Sequence, residues 1–155
     1  MDEIDAKIIK ELSQNADMTA TELSKKLHFS VPAVNKRIRS MKKEGVIKNF
    51  TIITDNKKIG KPIIAFITIV LKSIEHAETF FNYVENDPDI LECYAITGEC
   101  DAILKVCVAS LEDLDQKLSI LKTQNGVMKS LTMLSLTTHK YAPTILASEY
   151  TQRSH

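Results

Sequence analysis

The most informative stretch of this chain is residues 19–45, which read TATELSKKLHFSVPAVNKRIRSMKKEG. Thr19 and Glu22 have the spacing of a capping box, in which each side chain bonds to the backbone amide of the other residue, and they predict the start of a short helix. Ser30 predicts the N-cap of the next helix. Gly45 predicts the end of that helix, because glycine readily adopts a positive φ. Two helices separated by so short a turn predict a helix-turn-helix unit.

A further helix is predicted ahead of this pair. Residues 4–12 place their isoleucines and leucines on one helical face, with Asp2 as the N-cap. In the helix that follows Ser30, apolar residues recur with the period of one helical face. They are Val31, Val34, Ile38 and Met41. Residues 1–54 are therefore predicted to form a small helical domain.

Charge is distributed unevenly along the chain, although the formal net charge is zero. Residues 1–61 contain 13 Lys and Arg against 8 Asp and Glu, whereas residues 62–155 contain 7 against 12. Such an asymmetry suggests that the first part of the chain has a polyanionic partner and the second part does not. Hydrophobic residues make up 44% and charged residues 26% of the chain, which are ordinary values for a soluble globular protein.

The outer face of the helix after Ser30 holds the candidate contacts to nucleic acid. A step of about 100° per residue places Lys36 nearly opposite the apolar face and Arg37 at its margin. Small residues nearby permit close approach, and cations can reach phosphates or guanine edges. The predicted contacts to double-stranded DNA are Lys25, Lys26, Ser30, Pro32, Ala33, Lys36, Arg37, Arg39, Ser40 and Lys43. The alternative is a solvated, lysine-rich helix face.

The rest of the chain alternates strands and helices. Val46–Ile47 and Phe50–Ile53 predict short strands, and the polar residues 55–61 predict a linker. Beyond the linker, the predicted order is β-α-β-β-α-β, the ferredoxin-like split motif. The predicted strands are Ile63–Leu71, Ile90–Thr97, Ala102–Ala109 and Leu131–Thr138. The fold class is therefore α+β: an N-terminal helix-turn-helix domain, a C-terminal ferredoxin-like domain over residues 62–140, and a tail over residues 141–155.

The first strand of this second domain predicts a partner. Ile63–Leu71 is apolar at nearly every position instead of alternating. Such a strand is usually buried on both faces, yet the split motif places both helices on one face of the sheet. A second copy of the same sheet is the simplest cover for the other face, so the sequence predicts an isologous homodimer.

Two motifs in order along the chain carry a resemblance to a known family. The first is Asp2-x-x-Asp5-x-x-Ile8-Ile9, followed by Leu23-Ser24-Lys25-Lys26-Leu27 and by Ser30-x-x-x-Val34-x-x-Arg37-Ile38-x-x-Met41-x-x-Glu44-Gly45-Val46-Ile47. The second is Gly98-x-x-Asp101-x-x-Leu104-x-Val106. From residue 2 to about residue 140, the chain resembles the Lrp/AsnC (feast/famine) family of transcriptional regulators.

The resemblance implies a helix-turn-helix joined to a regulatory domain, dimers that assemble into higher oligomers, and an amino-acid effector bound between dimers. The candidate effector contacts are Gly98, Glu99, Cys100, Asp101, Thr137 and Thr138. The residues themselves leave a purely structural alternative open. Gly98 can serve a hairpin turn that needs a positive φ, and the Asp101 side chain can bond to turn amides.

Other functions have less support in the sequence. It contains no catalytic triad setting, metal-ligand spacing or phosphate-binding glycine loop, so we expect no enzyme activity, metal or cofactor. Two alternatives stay open: a DNA-coating architectural protein without an effector, and an enzyme like the sirohaem decarboxylases, which resemble this family. The three cysteines are expected to be free thiols. The acidic start and the lack of a long apolar run predict a cytoplasmic protein with no membrane partner.

Overall fold

The computed structural model describes residues 1–124 and 126–146, which form five α-helices and four β-strands. The helices are α1 (Glu3–Gln14), α2 (Ala20–Leu27), α3 (Val31–Lys43), α4 (Ala77–Glu85) and α5 (Leu111–Thr123). The strands are β1 (Ile63–Leu71), β2 (Ile90–Ala95), β3 (Ala102–Val108) and β4 (Val127–Leu134). They group into two compact units, residues 1–53 with the described residues from 140 onward, and residues 54–139.

The predicted functional boundaries of the domains stay predictions, and the predicted tail over residues 141–155 lies partly outside the described residues.

The N-terminal unit forms its helices where the caps predict them. Asp2 and Thr19 each close a capping box, and the Ser30 hydroxyl accepts a bond from the backbone at the start of α3. All three helices contribute to one small core. Its buried members are Ile8, Leu12, Leu23, Val34 and Met41.

The two strands predicted after α3 are absent. Val46–Ile47 and Phe50–Ile53 are fully described, and neither forms a strand. The amide of Ile47 instead donates to the carbonyl of Met41, which turns the chain back onto the end of α3. Ile52 is 83% exposed. The prediction was wrong because β-branched residues favour an extended backbone, but a strand also needs a neighbouring strand for its hydrogen bonds.

The second unit is a four-stranded antiparallel sheet in the order β2-β3-β1-β4. Helices α4 and α5 pack against one face of this sheet, as the split motif requires. The core lies between that face and the helices. It consists of Ala65, Ile67, Ile69, Phe80, Val84, Ala102, Leu104, Val106, Val108, Leu114, Leu121 and Val127. The predicted fold class is confirmed.

The last strand lies earlier in the chain than predicted. It runs over Val127–Leu134 rather than Leu131–Thr138. Val127 pairs with Leu71 at the end of β1, and an irregularity between Val70 and Leu71 adjusts the register. Because β4 pairs with β1 from Ala65 to Leu71, its position is set by a partner distant in sequence, which local composition does not reveal. β2 likewise ends at Ala95, two residues short of the predicted Thr97.

One face of the sheet has no helix against it. Along β1, Ala65, Ile67 and Ile69 on the helix side are fully buried, whereas Phe66 on the opposite side is exposed. We call this opposite side the open face. Strand pairing and alternation assign to it Ile64, Phe66, Thr68, Val70, Glu92, Tyr94, Ile103, Lys105, Cys107, Lys129, Leu131 and Met133. Packing within the single chain therefore accounts for the apolar residues on one side of β1 and leaves those on the other side without a helix against them.

Candidate nucleic-acid interface and ligand loop

The turn between α2 and α3 has a fixed shape. His28 adopts φ 58° and ψ 42°, the left-handed conformation that glycine usually takes at such a position. The backbone amides of His28 and Phe29 both donate to the carbonyl of Ser24. The Ser24 hydroxyl in turn donates to the carbonyl of Phe29. These bonds fix how α3 leaves α2, so the outer face of α3 is held by a rigid support.

That outer face carries cations with no internal partner. Lys36, Arg39 and Lys43 are exposed along α3, and none of them forms an ion pair with another described residue. Pro32 is exposed and Ala33 half-buried in the first turn, where neither side chain blocks approach to the backbone. Unpaired cations beside small residues form a surface that suits a polyanion.

Arg37 has a different environment from its neighbours on α3. Its Nη1 atom lies 2.7 Å from Asp2 Oδ2 and 2.8 Å from Asp5 Oδ1. Hydrogen bonds to Asp5 and Asp2 raise the pKa of Arg37. The Asp5 amide and the Arg37 guanidinium both lower the pKa of Asp2. Arg37 therefore ties the start of α1 to the middle of α3.

Three other predicted DNA contacts also have partners within the unit. Lys26 forms an ion pair with Glu11 of α1. The Ser40 hydroxyl donates to Glu44 at 2.7 Å, and Ser30 is the N-cap of α3. Lys25 is exposed at the end of α2. The ten predicted residues thus divide into an exposed group and a group that holds the helices in place.

The second candidate site is the loop between β2 and β3. Gly98 has φ 117°, a conformation that side chains other than glycine rarely adopt, so the predicted need for a positive φ is confirmed. A β-carbon there would meet no atom within 4 Å, which leaves space beside the backbone. Glu99 is exposed and Cys100 is half-buried. The loop therefore offers an open backbone surface with an acidic side chain.

Asp101 connects this loop to β1. Its carboxylate Oδ2 accepts a hydrogen bond of 2.6 Å from the amide of Leu71, and its own amide donates to the carbonyl of Ile69 at 2.9 Å. Its carbonyl accepts a bond from the amide of Ile96. The structural alternative predicted from the sequence was that the Asp101 side chain bonds to amides of its own turn. The amide it holds belongs to the far end of β1, which the sequence did not reveal.

Thr137 and Thr138 are not part of this loop within one chain. They lie in an exposed segment after β4, so their predicted position on the last strand is wrong. The amide of Ser135 donates to the carbonyl of Ile64 at the start of β1, whereas Asp101 holds the end of that strand. The two ends are roughly 20 Å apart at the usual rise of a strand.

A charge cluster that the sequence analysis missed lies elsewhere in the second unit. Lys117 Nζ is 2.7 Å from Asp87 Oδ2 and 2.9 Å from Asp89 Oδ2, and Lys61 Nζ is 2.6 Å from Asp89 Oδ1. Tyr83 also donates to Asp87 at 2.9 Å. The hydrogen bonds from Lys61 and Lys117 lower the pKa of Asp89. These residues come from separate elements, so no local pattern marked them as partners.

The remaining chemistry of the described residues is sparse. Cys93, Cys100 and Cys107, all in the described part of the chain, are free thiols. Burial raises the pKa of Cys93 and of Cys107, which disfavours the reactive thiolate. No cluster of three potential metal ligands occurs within residues 1–124 and 126–146. Over the same ranges, no helix has the length and apolarity needed to cross a membrane.

Comparison with known proteins matches each unit to a protein family and the chain to transcriptional regulators. Residues 1–48 match a winged helix-turn-helix DNA-binding family, and residues 64–145 match the Lrp/AsnC ligand binding domain. The HTH-type transcriptional regulator FL11 of Pyrococcus horikoshii is 35% identical over 140 residues, which cover 90% of this chain and 92% of that protein. LrpC of Bacillus subtilis is 34% identical over 115 residues, which cover 74% and 79% of the two chains.

A solved structure shares the fold along almost the whole chain. The complex of a Neisseria meningitidis transcriptional regulator with L-Met has a TM-score of 0.89 at 24% identity, and the match covers 94% of this chain and 96% of that one. A helix-turn-helix followed by a βαββαβ ligand-binding domain defines a DNA-binding transcriptional regulator. This chain belongs to the Lrp/AsnC family of such regulators, as its two motifs indicated.

Proposed function

We propose that this regulator binds double-stranded DNA through the exposed residues of α3, with Lys36 and Arg39 at the centre of the contact. One observation carries the proposal: these two cations and Lys43 are exposed and unpaired, in contrast to Arg37 on the same helix. Pro32 and Ala33 allow close approach of the first turn. Lys43 and Lys25 add contacts to phosphate. Lys26, Ser30 and Ser40 add further contacts while they keep their bonds to Glu11, to the start of α3 and to Glu44.

The test compares variants of the exposed cations Lys36 and Arg39 with a variant of the paired Arg37 on the same helix. Replacing a cation that contacts phosphate weakens binding to all sequences and lowers the slope of log affinity against log salt by about one unit. We therefore expect Lys36→Ala and Arg39→Ala each to reduce the affinity for DNA. A side chain that contacts phosphate should also lower the salt slope, and one that contacts a base edge should also reduce discrimination between bases. Arg37→Ala is the matched control, expected to lower the melting temperature and leave the salt slope unchanged. The measurement is fluorescence anisotropy with duplex DNA at several salt concentrations.

The opposite pattern would contradict this assignment. If Lys36→Ala and Arg39→Ala together leave both affinity and salt slope unchanged, α3 does not contact DNA through this face. If Arg37→Ala alone removes a salt-dependent contact, then its pairing with Asp2 and Asp5 opens on binding. Circular dichroism of each variant shows whether the helical unit is still folded.

The proposed assembly is a homodimer that pairs two open faces, with further association of dimers. The support is the exposure of large apolar side chains such as Phe66, Leu131 and Met133 on a sheet face that no helix of the chain covers. An isologous interface would bury the same surface on both copies. Sedimentation of the full chain tests this. Met133→Glu should weaken the dimer, whereas Ile120→Glu, at an exposed isoleucine on α5, which packs on the other face of the sheet, should not.

The proposed effector is an amino acid bound at the loop Gly98–Asp101. The regulator of Neisseria meningitidis with the same fold was solved with L-Met, and the second unit matches a ligand binding domain. A ligand that binds only the folded state raises the melting temperature by mass action. We expect one or a few of the twenty amino acids to do so. A chain that binds DNA but responds to none of them would instead be an effector-independent architectural protein.

A further inference from the structure

The chain beyond α3 folds back onto the end of that helix. We call residues 45–50 the return segment. Gly45 begins it with φ 73°, and its amide donates to the carbonyl of Lys42. The amide of Ile47 donates to the carbonyl of Met41 at 3.1 Å, and the Ile47 side chain packs against the core of the N-terminal unit. The first half of the return segment is therefore fixed by backbone bonds and by packing.

The other end of the return segment is held by a contact between side chains. The ammonium of Lys42 lies over the Phe50 ring, with Nζ 4.6 Å from the ring centre. A cation at this distance is attracted to the face of an aromatic ring. The Asn49 Oδ1 atom also accepts a bond of 2.8 Å from the amide of Phe50. The return segment is thus attached to α3 at both ends, although it forms no strand.

Lys48 lies between these two attachments. It is exposed, and it forms no ion pair with any residue that the structure describes. Glu44 is the only acidic residue between residues 31 and 54, and its carboxylate accepts a bond from the Ser40 hydroxyl instead. Lys48 therefore keeps an unpaired charge, as the exposed cations on the outer face of α3 do.

We propose that Lys48 is a further contact to the phosphate backbone of double-stranded DNA, held in position by the contact between Lys42 and Phe50. The inference rests on the DNA binding proposed above for α3 and extends that contact beyond the helix. A side chain on a backbone that is already fixed loses less freedom on binding than one on a loose segment. Lys42 and Phe50 are then positioning residues, and Lys48 is the residue that touches DNA.

The first test removes the charge of Lys48 from the full chain. Lys48→Ala should lower the slope of log affinity against log salt by about one unit. Its loss of affinity should therefore shrink by about 3.5-fold as the salt concentration rises from about 50 to about 200 mM. Lys10→Ala is the matched control, because Lys10 is exposed on α1 two residues after the buried Ile8 and so points away from the core. It should change neither affinity nor slope in fluorescence anisotropy with a mixed-sequence duplex.

The second test asks whether the aromatic ring holds Lys48 in position. Phe50→Leu keeps an apolar side chain but removes the ring, whereas Phe50→Tyr keeps a ring face for Lys42. We expect Phe50→Leu to bind DNA more weakly and Phe50→Tyr to bind like the wild type. In a double-mutant cycle, Lys48→Ala should cost less affinity in the Phe50→Leu background than in the wild type. A ring that only stabilises the fold would lower the melting temperature of Phe50→Leu and leave the cost of Lys48→Ala unchanged.

The outcomes separate this inference from the DNA binding proposed for α3. Affinity that falls in the variants of Lys36 and Arg39 but not in Lys48→Ala would overturn only the contact by Lys48. Affinity unchanged in all three variants would overturn both proposals. An equal cost of Lys48→Ala with and without the Phe50 ring would overturn the positioning role of Lys42 and Phe50. If circular dichroism shows that Phe50→Leu does not fold, Lys42→Gln, which removes the cation instead of the ring, takes its place in the cycle.

Discussion

The two units of this regulator place their charges in different environments. In the N-terminal unit, the ion pairs Lys7–Glu3 and Lys26–Glu11 each keep a lysine that is more than half exposed. In the second unit, Lys117 is 13% exposed and its partner Asp87 only 5%. Surface pairs contribute little to stability, whereas breaking a buried pair is costly. Both units use ion pairs to fix their elements, but the first also leaves Lys36, Arg39 and Lys43 exposed and without an ion pair, available to a polyanion.

The largest expected effect is the loss of the charge cluster. Lys117→Met leaves Asp87 and Asp89 without their shared partner, and we expect the free energy of unfolding of the second unit to fall by about 3–5 kcal/mol. Lys26→Met is the matched change in the N-terminal unit and should cost less than about 1 kcal/mol. Urea denaturation followed by hydrogen exchange in each unit measures both. Equal losses of unfolding free energy in the two variants would contradict the difference in environment between the ion pairs of the two units.

Acid should weaken the second unit through the same cluster. The pKa of Asp89 is lowered in the folded chain, so its ionised form stabilises the fold at pH values above the usual carboxyl pKa of about 3.9. This contribution disappears as the pH falls through the folded pKa. We expect the free energy of unfolding to decline below about pH 5, and to decline less steeply in Asp89→Asn. Urea titrations at several pH values would refute this if the two slopes agree.

A smaller effect is expected at the ligand loop. Asp101→Ala removes the bond to the Leu71 amide, and a hydrogen bond to a charged group is worth about 1.5–3 kcal/mol. Asp101→Asn keeps an acceptor for that amide and removes only the charge. We expect this variant to retain most of the stability and to bind the amino-acid effector about 10-fold more weakly or worse. Calorimetric titration that finds equal affinity for wild type and Asp101→Asn would exclude the carboxylate from effector binding.

The smallest expected effect concerns a helix cap in the N-terminal unit. Thr19 accepts a bond from the amide of Glu22 and donates its own amide to the Glu22 carboxylate. We expect Thr19→Ala to lower stability by about 1 kcal/mol, the usual cost of losing an N-cap. Thr21→Ala, two positions later on the same exposed helix, is the control and should cost little. Thermal denaturation that finds no difference between the two would show that local caps do not hold this unit together.

Local signals predicted the helices well because the interactions that define a helix end lie within a few residues. Thr19 and Ser30 began their helices where expected, and the strand Ile63–Leu71 has the predicted bounds. Strand prediction failed where a partner was needed. Phe50–Ile53 has the composition of a strand but no neighbour to pair with in the described chain, and β4 is shifted because its register follows β1.

The sequence by itself determined the family, the order of helices and strands in the second unit, the basic helix and the apolar strand β1. These depend on composition and on spacing along the chain. Only the tertiary structure separated Lys36 and Arg39 from Arg37, since the partners of Arg37 lie more than thirty residues away at the start of α1. The same holds for the bond from Leu71 to Asp101 and for Lys105 beside Phe66. Such contacts form between elements, and spacing within one element contains no information about them.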